Sequence, residues 1–182
     1  MTQTTDDQLI TRVKSGDQEA FGEIYRRYRP RVHRFALKLL CDPDQAEDCT
    51  QEAFLKAQKG IAGLHAALSL KAWLYSIIRN EVFEHFRKNR RNGHLEDDIV
   101  WKGSSPHEEV VAGETTEIVQ CAIAELKENY REVLVLREYE RMSYAEIAEV
   151  TGDSESSVKS RLFKARKALL NKLKPFFGKD QL

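Results

Sequence analysis

Residues 130–173 read YREVLVLREYERMSYAEIAEVTGDSESSVKSRLFKARKALLNKL, and this stretch decides the fold of the second half of the chain. It predicts two short helices, a tight turn and a basic third helix. Ser143 and Glu146 have the S-x-x-E spacing of a capping box, in which each side chain bonds an otherwise unpaired backbone N–H group. A helix is therefore predicted to begin at Tyr144.

The turn after this helix is predicted from its small and polar residues. Gly152 tolerates a positive φ angle, and Asp153 or Ser154 can cap the helix that follows. Only a few residues then join the two helices, which forces them to cross steeply. Ile147 and Ala148 are predicted to face the core. A helix-turn-helix DNA-binding unit requires this order of elements.

The third helix is predicted to have an apolar face and a basic face. At about 100° per residue, one stripe can pack on the preceding helices. This stripe contains Val158, Leu162, Ala165 and Leu169. Hydroxyls and cations lie on or beside the opposite face: Ser156, Lys159, Ser160, Lys164, Arg166 and Lys167. Such side chains can bond base edges and phosphates. The alternative is a surface helix whose lysines only keep the protein soluble, but the capped helix and glycine turn before it favour DNA binding.

Composition sets broad limits on the class of protein. A chain of 182 residues suits one or two small domains, and 41 % hydrophobic residues is too many for a disordered protein. The 29 basic and 29 acidic residues cancel, yet basic residues crowd between positions 159 and 174. Binding to a phosphate backbone depends on the local electrostatic potential of the protein surface. Zero net charge therefore does not exclude nucleic acid as a partner.

The cysteines and histidines suggest neither a metal site nor a disulfide framework. Cys41, Cys49 and Cys121 are too widely spaced for a C-x-x-C zinc site, and an odd number argues against disulfides. Cys49 and Cys121 occupy apolar helical positions, so both are predicted to lie in the core. The five histidines lack metal-binding spacing, and no nucleotide-binding or hydrolase motif occurs. An enzyme is therefore not expected, and neither a cofactor nor a metal is predicted.

No segment resembles a membrane span or a signal peptide. No apolar run approaches the roughly 20 residues that cross a bilayer, and the opening MTQTTDDQ lacks the basic and apolar regions of a signal sequence. A soluble, cytoplasmic protein is expected.

The first half of the chain also has helical periodicity. Apolar residues recur at three- and four-residue steps from Leu9 to about Arg91. Asp17 is predicted to cap the helix that begins this pattern. Pro43 is predicted to separate two helices, because proline disfavours helical geometry in the preceding residue and suits the first turn of a helix.

Two further boundaries are predicted in this half. The helix after Pro43 is expected to run through Ala57, and residues 60–70 read as a loop because Gly60 and Gly63 interrupt the pattern. Ser69 is predicted to cap a third long helix.

The chain is predicted to be all-α, with two small helical domains joined by a flexible linker. Between residues 92 and 114 the periodicity fades and acidic, glycine, serine and proline residues appear. The predicted limits are 7–91 for the first domain, 92–114 for an acidic linker and 115–176 for the helix-turn-helix domain.

Several strings of sequence, taken together, carry a family resemblance. They are FGEIYRRY (21–28), DQAEDCTQEAFLKA (44–57), WLYSIIRN (73–80), and SYAEIA (143–148) with VKSRLFKAR (158–166). They follow the family's order and cover nearly the whole chain. On these strings the chain resembles the extracytoplasmic-function (ECF) sigma factors of the sigma-70 family.

The resemblance implies a function and partners. The first domain would be the sigma region 2 bundle, which binds core RNA polymerase and melts the minus-ten element. The second would be the sigma region 4 helix-turn-helix domain, which reads the minus-thirty-five element as duplex. The protein would bind the polymerase at the coiled coil of the largest polymerase subunit and at the flap region. An anti-sigma factor would hold the protein inactive, and promoter DNA would be the nucleic-acid partner.

The resemblance also implies three sets of contact residues. The residues implied to bind polymerase are Asp48, Gln51, Glu52, Phe54, Leu55 and Lys56. The minus-ten strand is held by Lys71, Trp73, Arg79, Asn80 and Arg87. The minus-thirty-five element is contacted by Ser156, Lys159, Ser160, Arg161, Phe163, Lys164, Arg166 and Lys167. For Phe54 and Trp73, a place in the hydrophobic core is the alternative.

A second hypothesis is a free-standing helix-turn-helix activator or repressor. Such a protein would bind its operator without polymerase, and the first domain would act as a sensor or a dimerisation unit. The strings in the first domain have no reason to occur in a sensor, which favours the sigma factor. His65, in the apolar loop, could contact a base or be an exposed loop residue.

Overall fold

The computed structural model describes residues 4–64, 69–91 and 114–177. These segments contain eight α-helices, a short 3-10 turn at Ile61–Gly63 and no β-strand, which confirms the predicted all-α fold. The first domain is built from α1 (Asp6–Lys14), α2 (Gln18–Leu40), α3 (Pro43–Gly60) and α4 (Leu70–Arg91). The second domain is built from α5 (Glu114–Ala124), α6 (Glu128–Glu138), α7 (Tyr144–Thr151) and α8 (Glu155–Leu173).

The predicted linker, 92–114, lies outside the described residues except for Glu114, where α5 begins. The predicted domain limits stay a prediction. His65, within the predicted loop, also lies outside the described part of the chain.

Each domain buries an apolar core, and the two cores are continuous. In the first domain the fully buried side chains include Leu9, Ile24, Phe35, Tyr75 and Ile78. In the second they include Val133, Leu136, Ile147, Val158 and Leu162. Helix α6 packs against α2, and α7 packs against α4, so the two domains share an interface.

The predicted helix starts in the first domain are confirmed. The Asp17 carboxylate accepts hydrogen bonds from the N–H groups of Glu19 and Ala20, at 3.0 and 3.2 Å. Helix α2 ends at Cys41, whose φ of 56° is left-handed, and α3 starts with Pro43 as its first residue. Ser69 Oγ accepts a bond of 3.0 Å from the backbone N–H of Ala72, in the first turn of α4.

Helix α3 continues past its predicted end at Ala57, so that boundary was wrong. It runs to Gly60, which has right-handed helical angles (φ −93°, ψ −17°). A Cβ atom at Gly60 would lie 3.3 Å from Cζ2 of Trp73. The glycine therefore allows the indole ring of α4 to approach the backbone closely, and it does not break the helix here.

The helix-turn-helix is formed as the sequence predicts. Ser143 Oγ accepts a bond of 3.1 Å from the N–H of Glu146, and the Glu146 carboxylate accepts one of 2.7 Å from the N–H of Ser143. Gly152 ends α7 with a φ of 73°. Ser154 caps α8 by accepting a bond of 3.2 Å from the N–H of Ser157.

Replacing Ser143 with alanine is expected to lower the free energy of unfolding by about 1 kcal/mol. The change removes the acceptor for the Glu146 N–H and half of the capping box. Urea unfolding followed by circular dichroism measures the loss. Glu149→Ala, which truncates an exposed side chain in the same helix, serves as the control. An unchanged unfolding midpoint in Ser143→Ala would contradict a stabilising role for the capping box.

The two cysteines predicted to be buried differ. Cys49 is buried, and burial raises the pKa of its thiol to about 11, so it is unreactive near neutral pH. Cys121 is exposed, so its prediction was wrong. The buried side of α5 passes through Ala122 and Ile123, and Cys121 lies beside that apolar side, lining a shallow surface pocket near Lys172.

Candidate nucleic-acid and protein interfaces

Helix α8 presents a basic outer face, as predicted. Its apolar stripe is buried at Val158, Leu162 and Ala165, and Leu169 is partly buried against the core. The opposite side chains are exposed and are called the α8 face here: Ser156, Lys159, Ser160, Phe163, Lys164, Arg166 and Lys167. Phe163 is 70 % exposed, so a large apolar ring stands among hydroxyls and cations.

Two of the predicted minus-thirty-five residues are held by acidic partners. Arg161 is largely buried and pairs with Asp153 at 2.8 Å, which directs its guanidinium back to the turn. Arg166 remains exposed but pairs with Glu138 at 2.7 Å. Arg161 therefore lies off the α8 face, whereas the other predicted residues share it.

Five of the six predicted polymerase-binding residues of α3 share one exposed face. Asp48, Gln51, Glu52, Leu55 and Lys56 are exposed and follow the i, i+3, i+4, i+7, i+8 spacing of one helix side. This set is called the α3 face here. Leu55 is 51 % exposed near its centre, and Lys56 pairs with Glu81 of α4 at 2.7 Å.

Phe54 lies apart from the α3 face. It is buried and packs edge-on against Tyr25, with ring centroids 4.9 Å apart. The structure thus places Phe54 in the core, which was the alternative for this residue.

The predicted minus-ten residues of α4 point in different directions. Asn80 and Arg87 are exposed, and Arg87 pairs with Glu84 at 2.5 Å. Trp73 is partly buried and covers Gly60. Lys71 and Arg79 face the second domain, where each meets acidic residues.

Comparisons with protein families and with known proteins show which family the chain belongs to. The family described as Sigma-70 region 2 matches residues 24–92, and the family described as Sigma-70, region 4 matches residues 116–169. The ECF RNA polymerase sigma factor SigW of Bacillus subtilis is 30 % identical over 177 residues, covering 91 % of this chain and 95 % of that protein. The chain belongs to the ECF sigma factors of the sigma-70 family.

Further relatives agree with this assignment. The RNA polymerase sigma-H factor of Pseudomonas aeruginosa is 32 % identical over 187 residues, covering 96 % of this chain and 97 % of that protein. The sigma factor RpoE of Bartonella quintana, solved with the anti-sigma factor NepR, superposes with a TM-score of 0.72 at 26 % identity, covering 85 % of this chain and 96 % of RpoE.

The family assignment decides between the two hypotheses drawn from the sequence. An ECF sigma factor is a transcription initiation factor and not an enzyme. The free-standing helix-turn-helix regulator is therefore excluded. Among the described residues, no cluster of histidine, cysteine and acidic side chains could hold a metal ion. In the same residues, no helix is long and apolar enough to cross a membrane.

The sequence did not reveal a polar cluster between the two domains of the sigma factor. The Glu140 carboxylate is buried and accepts hydrogen bonds from Tyr75 Oη at 2.5 Å and from Arg31 Nη2 at 3.1 Å. Burial and the nearby Glu140 raise the pKa of the Tyr75 hydroxyl, so Tyr75 is the donor. Arg131 and Glu132 are likewise buried charged residues, on the side of α6 that faces the first domain.

Glu132 forms a second contact of this kind. It is fully buried and accepts a hydrogen bond from Arg79 Nε of α4. Burial raises the pKa of the Glu132 carboxyl, and the guanidinium opposes that rise.

Proposed function

We propose that this sigma factor acts in the cytoplasm, binds core RNA polymerase through the α3 face and reads the minus-thirty-five element through the α8 face. The observation that carries the proposal is that both faces are exposed and lie on different domains. One chain can therefore hold the polymerase with one domain and duplex DNA with the other.

The chemistry of the α3 face suits a helical protein partner. Asp48 and Glu52 supply negative charge, Lys56 supplies a cation, and Leu55 supplies apolar area between them. Charged residues of both signs set the register of an encounter, while a central leucine contributes buried area. The proposed partner surface is the coiled coil of the largest polymerase subunit, with the flap region meeting the second domain.

The α8 face has the groups that a major-groove reader needs. Lys159, Lys164 and Lys167 can neutralise phosphates, and Ser156 and Ser160 can bond base edges or backbone oxygens. The exposed ring of Phe163 can contact a thymine methyl group, and such apolar contacts contribute to base readout.

Helix α4 is the proposed holder of the melted minus-ten strand. Asn80 and Arg87 are exposed on it, and Lys71, Trp73 and Arg79 complete the proposed set. Aromatic stacking and phosphate contacts are the usual means of binding single strands.

An anti-sigma factor is the proposed regulator. RpoE of Bartonella quintana, which superposes over most of this chain, was solved in complex with the anti-sigma factor NepR. A protein covering the α3 or α8 face would prevent the contacts proposed above.

Lys164→Ala is expected to weaken promoter binding by the holoenzyme and to reduce its salt dependence. Loss of one phosphate contact lowers the slope of log affinity against log salt by about 0.9. Gel-shift titrations at several salt concentrations measure the slope. Lys174→Ala, an exposed lysine just beyond α8, is the control and should leave the slope unchanged. An unchanged slope in Lys164→Ala would remove Lys164 from the phosphate contacts.

Binding to core polymerase tests the proposal as a whole. The full chain is mixed with purified core enzyme and passed over a size-exclusion column. Co-migration, and sequence-selective retention of promoter duplex only in the presence of core, is the expected result. Tight, selective duplex binding by the chain alone, with no polymerase complex, would contradict it.

A further inference from the structure

One residue beside the helix-turn-helix has a backbone conformation that its side chain does not favour. Arg141, in the turn between α6 and α7, has a left-handed φ of 53°. Arginine rarely adopts this region because its Cβ atom crowds the backbone, whereas glycine adopts it freely. The turn at the other end of α7 does use glycine, with Gly152 at a φ of 73°. Arginine therefore stands at a position where glycine would fit without strain.

The fold explains the conformation of this turn but not the choice of arginine. Glu140 and Met142, on either side, are both buried, and Arg141 between them is exposed. Among the described residues, the Arg141 side chain takes part in no ion pair, hydrogen bond or ring contact. Cys41, which also has a left-handed φ, differs because its side chain is buried. Strained residues that folding does not require are concentrated at functional sites.

Arg141 lies at the edge of the α8 face, because two members of that face contact residues on either side of it in the chain. Arg166 pairs with Glu138 at 2.7 Å. Lys159 Nζ lies 5.4 Å from the centre of the Tyr144 ring. Arg141 is three residues from each of these two partners, which places its Cα atom within about 11 Å of theirs. The positive charge of Arg141 therefore borders the basic α8 face.

The turn that carries Arg141 is held in place by hydrogen bonds. Arg137 Nη1 donates a bond of 2.6 Å to the carbonyl of Met142, and the Arg137 guanidinium lies 4.9 Å from the centre of the Tyr144 ring. The N–H of Met142 donates a bond of 3.1 Å to the carbonyl of Leu136. Because this backbone is already fixed, a ligand of Arg141 does not have to order it.

We propose that Arg141 contacts a phosphate of the minus-thirty-five duplex, outside the groove that α8 enters. This inference rests on the proposed function of the α8 face. In a helix-turn-helix complex the second helix lies in the major groove and the first crosses the backbone. The groove is about 12 Å wide, so a side chain at the edge of the reading face meets the bordering phosphates and not the bases. A guanidinium can bind a phosphate through two N–H groups, a contact that glycine cannot supply.

Arg141→Gly separates this role from a role in folding, because the stability and the affinity should not fall together. Glycine relieves the left-handed conformation, so the urea midpoint should equal or exceed that of the wild-type protein. The change also removes the cation, so the holoenzyme should bind DNA more weakly. Loss of one phosphate contact lowers the slope of log affinity against log salt by about 0.9, which is a factor of roughly eight at 0.1 M salt relative to 1 M.

Two matched variants and a second duplex complete the experiment. Arg141→Lys retains the charge and should keep the wild-type slope. Lys127→Ala removes an exposed cation at the far end of α6, whose 11 residues span roughly 16 Å, and should also keep that slope. A duplex of scrambled sequence should lose affinity for Arg141→Gly by the same factor, because phosphate contacts carry no sequence information.

The probe is a duplex that the holoenzyme enriches from a library of random DNA fragments, and gel-shift titrations at several salt concentrations give the slope. The proposal is overturned if Arg141→Gly keeps the wild-type slope while Lys164→Ala lowers it, since the α8 face then binds DNA without Arg141. It is also overturned if Arg141→Gly lowers the urea midpoint, which would assign the arginine to folding, or if Arg141→Lys does not restore the slope. If the holoenzyme enriches no duplex, the proposed function itself fails and this inference fails with it.

Discussion

Replacing Arg131 with alanine is expected to lower the free energy of unfolding by about 3–5 kcal/mol. The side chain is 1 % exposed and donates hydrogen bonds to the carbonyls of Leu39, Ala124 and Leu126. Truncation leaves these buried acceptors without their donor and opens a cavity. A buried acceptor that loses its partner costs about 1–3 kcal/mol.

Urea unfolding measures this effect, and two further variants define its origin. Arg26→Ala removes an exposed arginine of α2 that pairs with Glu23 on the surface, and it should cost less than about 1 kcal/mol. Arg131→Lys should fall between, because a point-like ammonium cannot reproduce the fork of a guanidinium that reaches several carbonyls. A cost for Arg131→Ala as small as that of Arg26→Ala would contradict the structural role given to Arg131.

Leu55→Asp is expected to abolish detectable transcription by the holoenzyme. Leu55 is 51 % exposed near the centre of the α3 face, so the change should leave the fold intact while placing a charge where apolar area is to be buried. Central anchors of protein interfaces contribute about 2–4 kcal/mol, which corresponds to a loss of polymerase affinity of roughly 30- to 700-fold.

The affinity for core polymerase is measured by competition against a labelled sigma factor, and urea unfolding checks stability. Thr11→Asp, at an exposed position of α1, is the matched control and should bind core normally. If Leu55→Asp is folded and binds core as tightly as the control, the α3 face is not the polymerase-binding surface.

Local signals in the sequence predicted most of the helix boundaries. The caps at Asp17, Ser69 and Ser143, the turn at Gly152 and the break at Pro43 were all correct. Each depends on a side chain bonding backbone a few residues away, or on the conformational limits of a single residue. Such interactions are fixed by nearby sequence, so they can be read without knowing the tertiary structure.

Predictions that depended on tertiary packing were less successful. Gly60 lies within a helix, where Trp73 from a different helix packs closely on its backbone. Cys121 is exposed because the buried side of α5 passes through Ala122 and Ile123. In each case the deciding neighbour or packing surface is distant in sequence, and the local pattern does not contain it.

In the candidate sites, too, local spacing could be predicted from the sequence and tertiary contacts could not. Helical spacing alone brings the exposed residues of the α3 and α8 faces together, so the sequence could group them. The pairing of Lys71 and Arg79 with Glu146 and Glu132 joins residues far apart in the chain. No spacing rule predicts that contact.

Transcription by purified core polymerase tests the central claim most directly. The full chain and core enzyme are incubated with a library of random DNA fragments, and the transcripts are sequenced. We expect transcripts that require the chain and whose templates share two short upstream motifs at a fixed separation, as two DNA-reading domains on one polymerase would impose. Transcripts that are unchanged by the chain, or templates without a shared pair of motifs, would contradict its action as a promoter-specificity factor.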